Sequence, residues 1–417
     1  LGSPMKIALV STHATSEGGV PHYVSSLARA LAKGHEVTVY SSRFEGFDGT
    51  SVRHRKIRAI GSGGNIFDLS FLIVSTLVIW AHRVKRRNEF DIIHSHVGSP
   101  FFSEVFTSHF YEHDGIAQMK TAPKGIPRDS LILRLRSRLM AGIESVLLAR
   151  RNSGTWIVLS TAMKRGFIRD YPVPPESIFV IPNGVDSSRY SPDNVARYRD
   201  EVRDQLSLAP GGQVVLFLGG DWLRKGLAQA IGALSLLAGD EATLLVVGFG
   251  NVAAYRNLAK RCRIEERVIF AGPTREGWKY YAASDVYLLP SLYEPFGLSI
   301  FEAMASGLPV LVSRNSGAGE LINDGVDGLL IQEPRDVREL SEKLGALLKD
   351  ADLRTRLGRE ARCTALRYPW DRVARETAEV YERVMLRKRG GVEGQHLSPN
   401  DEGKSKGAGL ACRAIFL

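Results

Sequence analysis

"YEPFGLSIFEAMASGLPVLVS", residues 293–313, places two glutamates, Glu294 and Glu302, eight positions apart around a Phe-Gly turn. Just upstream, "DVYLLPS" (285–291) is a short apolar run of strand type. Helix signals begin near Gly297 and end at Gly307, with Pro309 beyond, and "PVLVS" (309–313) returns to strand character. The stretch therefore reads as strand, glycine turn, helix and strand. A carboxylate near the start of such a helix needs an explanation, because the face carrying Glu302 also carries Leu298 and Ala305 and is largely apolar.

The same alternation runs through most of the chain. "KIALVST" (6–12) is followed by a Gly-Gly turn and then by "VPHYVSSLARALAKG", whose Val20, Tyr23, Val24, Leu27, Ala28 and Leu31 recur at helical spacing up to Gly34. "HEVTVYSS", "DIIHSHV" (91–97), "VFTSH" (105–109), "TWIVLS" (155–160) and "IFVIPNGVD" (178–186) continue the series. A fresh series follows a polar connection: "VVLFLGG" (214–220), "ATLLVVGFG" (242–250), "RVIFAGP" (267–273), "DVYLLPS", "PVLVS" and "GLLI" (328–331). Uninterrupted apolar strands alternating with helices predict parallel sheets covered on both faces, and the two series predict two doubly wound α/β domains. Open parallel sheets bind ligands at the carboxyl ends of their strands, so function is sought in the loops after strands and in a cleft where two such ends face each other. The expected division is residues 5–182 for the first domain, 183–369 for the second, a helix at 370–387 crossing back to the first, and a polar tail over 388–417 with little order.

At 417 residues the chain exceeds one ordinary core, and 44% apolar content is globular. A net charge of +10 favours an anionic partner without choosing among nucleotide, phospholipid and acidic glycan. Basic charge without an aromatic-interleaved recognition motif argues against nucleic acid. Cys262, Cys363 and Cys412 lie far apart, so neither a disulfide framework nor a zinc site is expected, and the compartment is read as a reducing cytoplasm. Leu1 to Pro4 read as a remnant before a natural start at Met5.

Two stretches bear on membranes. "FDLSFLIVSTLVIWA" (67–81), followed by "HRVKRR", is shorter than the roughly 20 residues a crossing needs, and is expected to be a buried helix. In 119–151, Leu131, Leu133, Leu135, Leu139 and Met140 are interleaved with six Lys or Arg residues up to Arg138. Such a basic amphipathic segment suits an anionic membrane surface equally with packing on its own domain.

A strand, a glycine turn and a helix start together form an anion site, with the amides of Phe296, Gly297 and Leu298 as candidates. Glu302 could accept from the two vicinal hydroxyls of a ribose, with Glu294 facing the reacting end of the same ligand. The competing reading gives Glu302 a salt bridge and makes Glu294 a turn cap. Spacing alone leaves the two level.

The whole string "EPFGLSIFEAMASGLPVLVS" closely resembles the E-x7-E signature of retaining glycosyltransferase family 4, whose members have the GT-B fold of two Rossmann-like domains. "EGG" (17–19), "IPNGVD" (181–186), "GGDWLRKGL" (219–227), "VVGFG" and "VIFAG" agree in order, and the resemblance covers roughly residues 5–387. It implies a hexosyltransferase of that family. By similarity Glu302 holds the ribose of a nucleotide sugar. Glu294, with the amides of Phe296, Gly297 and Leu298, holds the donor sugar and distal phosphate, and Lys225 with Arg224 neutralises the leaving diphosphate. Gly18 and Gly19 approach the donor, Gly248 lies in a matching glycine turn, Thr274 stands where a base contact is made, and His109 sits near the sugar.

Many members carry an arginine where this chain has Gly220, and the departure resembles lipopolysaccharide core glucosyltransferases with an S-D-F-x-R-K-G pattern. His94 and His96 are expected as packing or polar-network residues on opposite faces of their strand. The resemblance implies retention by front-face substitution, a UDP-sugar first and a GDP-sugar second, and a glycan, lipid-linked or small-molecule acceptor. No metal or other cofactor is expected, since two basic side chains and a helix start supply the charge and no Asp-x-Asp cluster stands near a strand end. A cytoplasmic enzyme, peripheral on the inner membrane face, would suit such acceptors. The competing classes are another GT-B enzyme (an inverting transferase, a phosphorylase or an epimerase) and a noncatalytic nucleotide-sugar binder.

Overall fold

The computed structural model describes residues 3–16, 18–61, 65–85, 89–96, 102–110, 154–209, 211–237 and 242–389. The basic segment 119–151 and the tail from 390 lie outside the described residues.

Thirteen strands of the described residues form two sheets. In the first, β1 (Lys6–Val10), β2 (Glu36–Ser41), β3 (Arg53–Lys56), β4 (Ile92–His96), β5 (Val105–Ser108), β6 (Thr155–Val158) and β7 (Ile178–Val180) lie in the order β3-β2-β1-β4-β5-β6-β7. In the second, β8 (Val214–Leu218), β9 (Thr243–Val247), β10 (Val268–Gly272), β11 (Val286–Leu289), β12 (Val310–Ser313) and β13 (Leu329–Ile331) lie in the order β10-β9-β8-β11-β12-β13. Every pairing within both sheets is parallel, Ile7 for example standing between Val37 and Ile92. The unbroken apolar strands explain this, since strands such as β11 and β12 are buried along their whole length and need cover on both faces. A small two-stranded sheet, His13–Ala14 with Arg43–Phe44, stands apart from both.

Both sheets thus reverse direction at an equivalent place, between β1 and β4 and between β8 and β11. Such a reversal splays apart the loops that leave the two central strands and opens a crevice at their carboxyl ends.

The helix Trp370–Arg389 lies on the first sheet's side although it follows the second. Lys33 pairs with Asp371 at 2.6 Å, Lys388 with Glu104 at 2.9 Å, and the Tyr381 hydroxyl meets His94 Nδ1 at 2.6 Å. The two chain segments that join the halves run side by side, with the Val185 amide donating to the Tyr368 carbonyl at 2.9 Å.

Two expectations are corrected here. The apolar stretch does form a helix, Asn65–Lys85, but it is buried on one side only. Phe71 and Ile79 pack with Ala8, Val10, Tyr40, Ile57 and Ile93 on the sheet, while Ile66, Leu69, Ile73, Leu77 and Trp80 are exposed. A single helix presents only a stripe to a sheet, so an apolar sequence on all sides does not guarantee a buried one. In addition, Cys363 is disulfide-bonded and Cys262 is free.

Candidate active site

The loops leaving the central strands converge on one cleft of about 620 Å³ between the two sheets. β1 leads to Gly18 and Gly19, β5 to His109, β8 to Arg224 and Lys225, β9 to Gly248, β10 to Thr274, and β11 to Glu294, Phe296, Gly297, Leu298 and Glu302. All twelve of these residues line the cleft.

The centre of charge is Glu294. Its Oε2 lies 2.8 Å from Lys225 Nζ and 3.3 Å from an Arg224 guanidinium nitrogen. Arg224 also reaches Asp221 at 2.7 Å and donates to the Tyr293 carbonyl at 2.8 Å, while the Leu292 amide donates back to the Arg224 carbonyl at 2.8 Å. The loops after β8 and β11 are therefore laced together by charge-assisted bonds. Burial pushes the Glu294 carboxyl up, but Lys225 and Arg224 outweigh it and hold the group below its ordinary value. It is ionised, held by Lys225 and Arg224, and Arg224 is shared with Asp221.

Lys225 reaches this position by lying across Gly219, where a Cβ would come within 2.8 Å of Lys225 Cε. The turn that aims Glu294 needs glycine as well. Gly297 has φ +98°, and a Cβ there would meet Ile300 Cδ1 at 2.7 Å. From this turn the helix Leu298–Ala305 starts with its first amides directed away from intrahelical acceptors. A partial positive charge is thus added to the Lys225 and Arg224 pair.

Glu302 has a different environment. Half-buried one turn into the same helix, it accepts from the Tyr281 hydroxyl at 2.9 Å, and Tyr190 also donates to it. Burial raises its pKa, and the two hydroxyls, Tyr281 first, only partly oppose the rise. The ion pair in the two-glutamate motif falls on Glu294, not on Glu302 as the competing sequence reading had it.

The first sheet contributes a neutral wall. His109 is buried, its Nε2 lies 3.1 Å from His96 Nδ1, and its ring stands edge-on to Tyr23 at 4.6 Å. Burial lowers its pKa to about 3. His94 is lowered to about 3, by burial first and then by His109, and it is held between Tyr381 and Thr107. The expectation that His94 and His96 face opposite ways is wrong. Their ring centroids are 4.2 Å apart, as required of residues two apart on a strand, which share a face.

Several lining residues were not singled out from the sequence. His22 and Asn183 are both buried in the cleft wall. Each keeps a polar atom, His22 Nδ1 and Asn183 Oδ1, without a partner among the described residues. Arg189 stacks on Trp278 at 4.1 Å and donates to the Arg275 carbonyl at 3.2 Å, beside Thr274. Asn183 lies within "IPNGVD" and could have been flagged from that motif; His22 is one more residue of an amphipathic helix. Phe249 is 70% exposed in the cleft and lies over Gly220. A Cβ at Gly220 would fall 2.6 Å from Phe249 Cζ, so an aromatic ring occupies the space a side chain at that position would need.

Two Rossmann-like sheets facing across a crevice, with the charged groups on the second, make the GT-B fold. Two family descriptions match in tandem, Glycosyltransferase Family 4 over residues 17–189 and Glycosyl transferases group 1 over residues 198–364. The chain therefore belongs to the family-4 glycosyltransferases and is an enzyme of that class. It is 26% identical over 419 residues to the D-inositol 3-phosphate glycosyltransferase of Xylanimonas cellulosilytica, covering 92% of this chain and 98% of that one. It is 29% identical to the mannosylfructose-phosphate synthase of Agrobacterium fabrum, covering 91% and 92%. Among solved structures, WaaG, a glycosyltransferase involved in lipopolysaccharide biosynthesis, superposes with a TM-score of 0.73 at 22% identity over 90% of this chain and 99% of that one. Anabaena HepE in complex with UDP and glucose superposes with a TM-score of 0.68 at 21% identity over 91% and 99%.

Proposed function

We propose that the protein transfers a hexose from a nucleoside diphosphate sugar, a UDP-sugar first and a GDP-sugar second, to an acceptor hydroxyl with retention of configuration. The observation that carries this reading is the Glu294–Lys225–Arg224 cluster set against the helix start at Gly297, with Glu302 one turn into that helix. A diphosphate that leaves gains negative charge as its bond to the sugar breaks. Fixed cations and amides stabilise that charge most in the transition state, which accelerates the chemical step. Glu302 would accept from the ribose hydroxyls while Tyr281 and Tyr190 fix its orientation, and Thr274 with its neighbours would meet the base.

On the opposite wall the buried neutral His109 would hydrogen-bond a sugar hydroxyl, near Gly18 and Gly19. The anomeric carbon loses its bond to the phosphate oxygen and gains one to the acceptor oxygen on the same face. The acceptor's proton passes to the departing phosphate oxygen, so no protein carboxylate need attack. Charge neutralisation is assigned here to side chains and amides rather than to a metal ion.

The complex of HepE with UDP and glucose supports a UDP-sugar as the first donor to try. A glycan, a lipid-linked glycan or a small molecule could supply the hydroxyl; two relatives are named for small phosphorylated molecules and WaaG for a part in lipopolysaccharide biosynthesis. Calorimetry against UDP-glucose, UDP-N-acetylglucosamine, UDP-galactose and GDP-mannose should select one donor, and NMR of the product should show the donor's anomeric configuration. Binding of none of them would overturn the donor assignment, and an inverted product the mechanism.

A further inference from the structure

The helix Asn65–Lys85 raises a question that the cleft does not answer. Ile66 is 72% exposed, Leu69 52%, Ile73 51%, Leu77 59% and Trp80 50%. Steps of three and four residues place all five on one stripe, opposite Phe67, Phe71, Ser75 and Ile79, which are buried. At 1.5 Å per residue the stripe runs about 20 Å along the surface. Ile60, 70% exposed, joins it from the neighbouring loop, which is tied to the helix by the bond from the Ile60 amide to Ser70 Oγ at 2.8 Å. Scattered exposed apolar residues are ordinary, whereas a contiguous row of six marks a surface that is covered in use.

Charge says what covers it. Between residues 53 and 89 the chain has eight Lys or Arg residues and two acids, Asp68 and Glu89; Glu89 pairs with Arg55, and Arg53 pairs with Glu36. β3 and the loop after it flank the helix, Arg55 bonding to His82 at one end and Ile60 to Ser70 at the other. Arg53, Lys56 and Arg58 are exposed along that flank. An apolar stripe rimmed by cations is complementary to acyl chains beneath anionic headgroups. A second copy of the chain docking by this face would bring two basic rims together, which like charges oppose. Among the described residues no helix is long and apolar enough to cross a membrane.

We propose that the Ile66–Trp80 stripe is a membrane-docking face that lies in the surface of an anionic phospholipid bilayer. This face is distinct from the cleft and from the 119–151 segment, and the proposal does not depend on the identity of the donor.

The full chain is mixed with vesicles of phosphatidylcholine alone or with added phosphatidylglycerol. Binding is expected to the anionic vesicles, falling as salt rises. Trp80 is the most exposed of the tryptophans, so its emission should shift to the blue and be quenched by brominated acyl chains, and Trp80→Phe should remove most of that quenching. Ile73→Glu combined with Leu77→Glu should weaken partitioning by roughly tenfold or more with an unchanged melting temperature. Equal binding by the double variant, no binding by the wild type, or absence of Trp80 quenching would overturn the proposal. So would a wild-type dimer that the double variant dissociates, which would make a second copy the occupant. A large fall in melting temperature would mean that the stripe is covered by the chain itself.

Discussion

The two sheets share a strand order and a reversal point, yet they bring opposite chemistry to the crevice. The second sheet supplies fixed charge: Glu294 between Lys225 and Arg224, with a helix start beside them. The first supplies imidazoles that burial keeps neutral, His22 and His109 in the cleft wall with His96 and His94 packed behind His109. In the reading proposed above, a departing diphosphate needs charge that is already in place. Sugar hydroxyls need donors and acceptors that carry none. One fold satisfies both because its loops, not its strands, are the variable part.

The largest expected effect tests the neutrality of the first wall. In each of these histidines the folded pKa is depressed, to about 4 in His22 and about 3 in His94 and His109, with His96 well below its ordinary value. The unfolded chain takes up a proton below about pH 6.5 that the folded chain refuses. Stability is therefore full above 6.5 and falls as pH drops toward 4, by about 1.4 kcal/mol per histidine per pH unit. Glu294, also depressed, begins to act in the same direction only below about 4.5. Melting at pH 7.5 and 5.5 should differ by many degrees, and His109→Gln should reduce the dependence by about one proton. Equal melting temperatures would mean that the wall is charged and the contrast between the halves false.

The second wall is tested by Lys225→Ala. Removal of a cation aimed at developing charge lowers turnover by roughly a hundredfold to a thousandfold, with a smaller change in KM. Because Glu294 then loses its nearest partner, Lys225→Arg is the necessary control. Single-turnover kinetics with the selected donor would show it, and a change in KM alone would reduce Lys225 to a binding residue.

Next in size is Glu302→Ala. A carboxylate accepting from ribose is worth about 1.5–3 kcal/mol, so donor affinity should weaken by roughly tenfold to a hundredfold with chemistry little changed. Calorimetry with the nucleoside diphosphate alone isolates this contact from the sugar. Unchanged affinity would leave Tyr281 and Tyr190 as the reason for this carboxylate and would end its ribose assignment.

The contrast was unevenly legible in the sequence. The strand alternation and the 293–313 string displayed the two sheets and the charged wall, because parallel strands are apolar throughout and a glycine turn must sit beside the ion pair it aims. Glu294 and Glu302 were singled out in that string, Lys225 and Arg224 only through the resemblance of "GGDWLRKGL", and the structure brings Glu294, Lys225 and Arg224 together. The neutral wall was less visible, since His22 and His109 lie on an ordinary amphipathic helix and a strand end. Their meaning depends on burial, which is a property of packing. His94 and His96 were misplaced through a misapplied period, although the spacing of two residues already put them on one face. The outward stripe of the helix Asn65–Lys85 was hidden by the apolar character of both its sides, since composition does not say which side meets the sheet.

The smallest expected effect concerns Gly220, where the resemblance set out above leads one to expect an arginine. An arginine there cannot simply be restored, because its Cβ would overlap Phe249, and the ring must swing away. Phe249 is exposed, so it can move at a cost of about 1 kcal/mol rather than unfold the loop. Gly220→Arg alone should therefore lower the melting temperature slightly and weaken donor binding a few-fold by pushing the ring into the cleft. Combined with Phe249→Ala, the same arginine has room to reach the diphosphate, and affinity should recover to the original level or above. If Gly220→Arg instead improves binding on its own, Phe249 is not part of the donor surface, and Gly220 marks only a lost cation. Recovery in the double variant would show that the ring and the arginine are alternative solutions for one space on the charged side of the cleft.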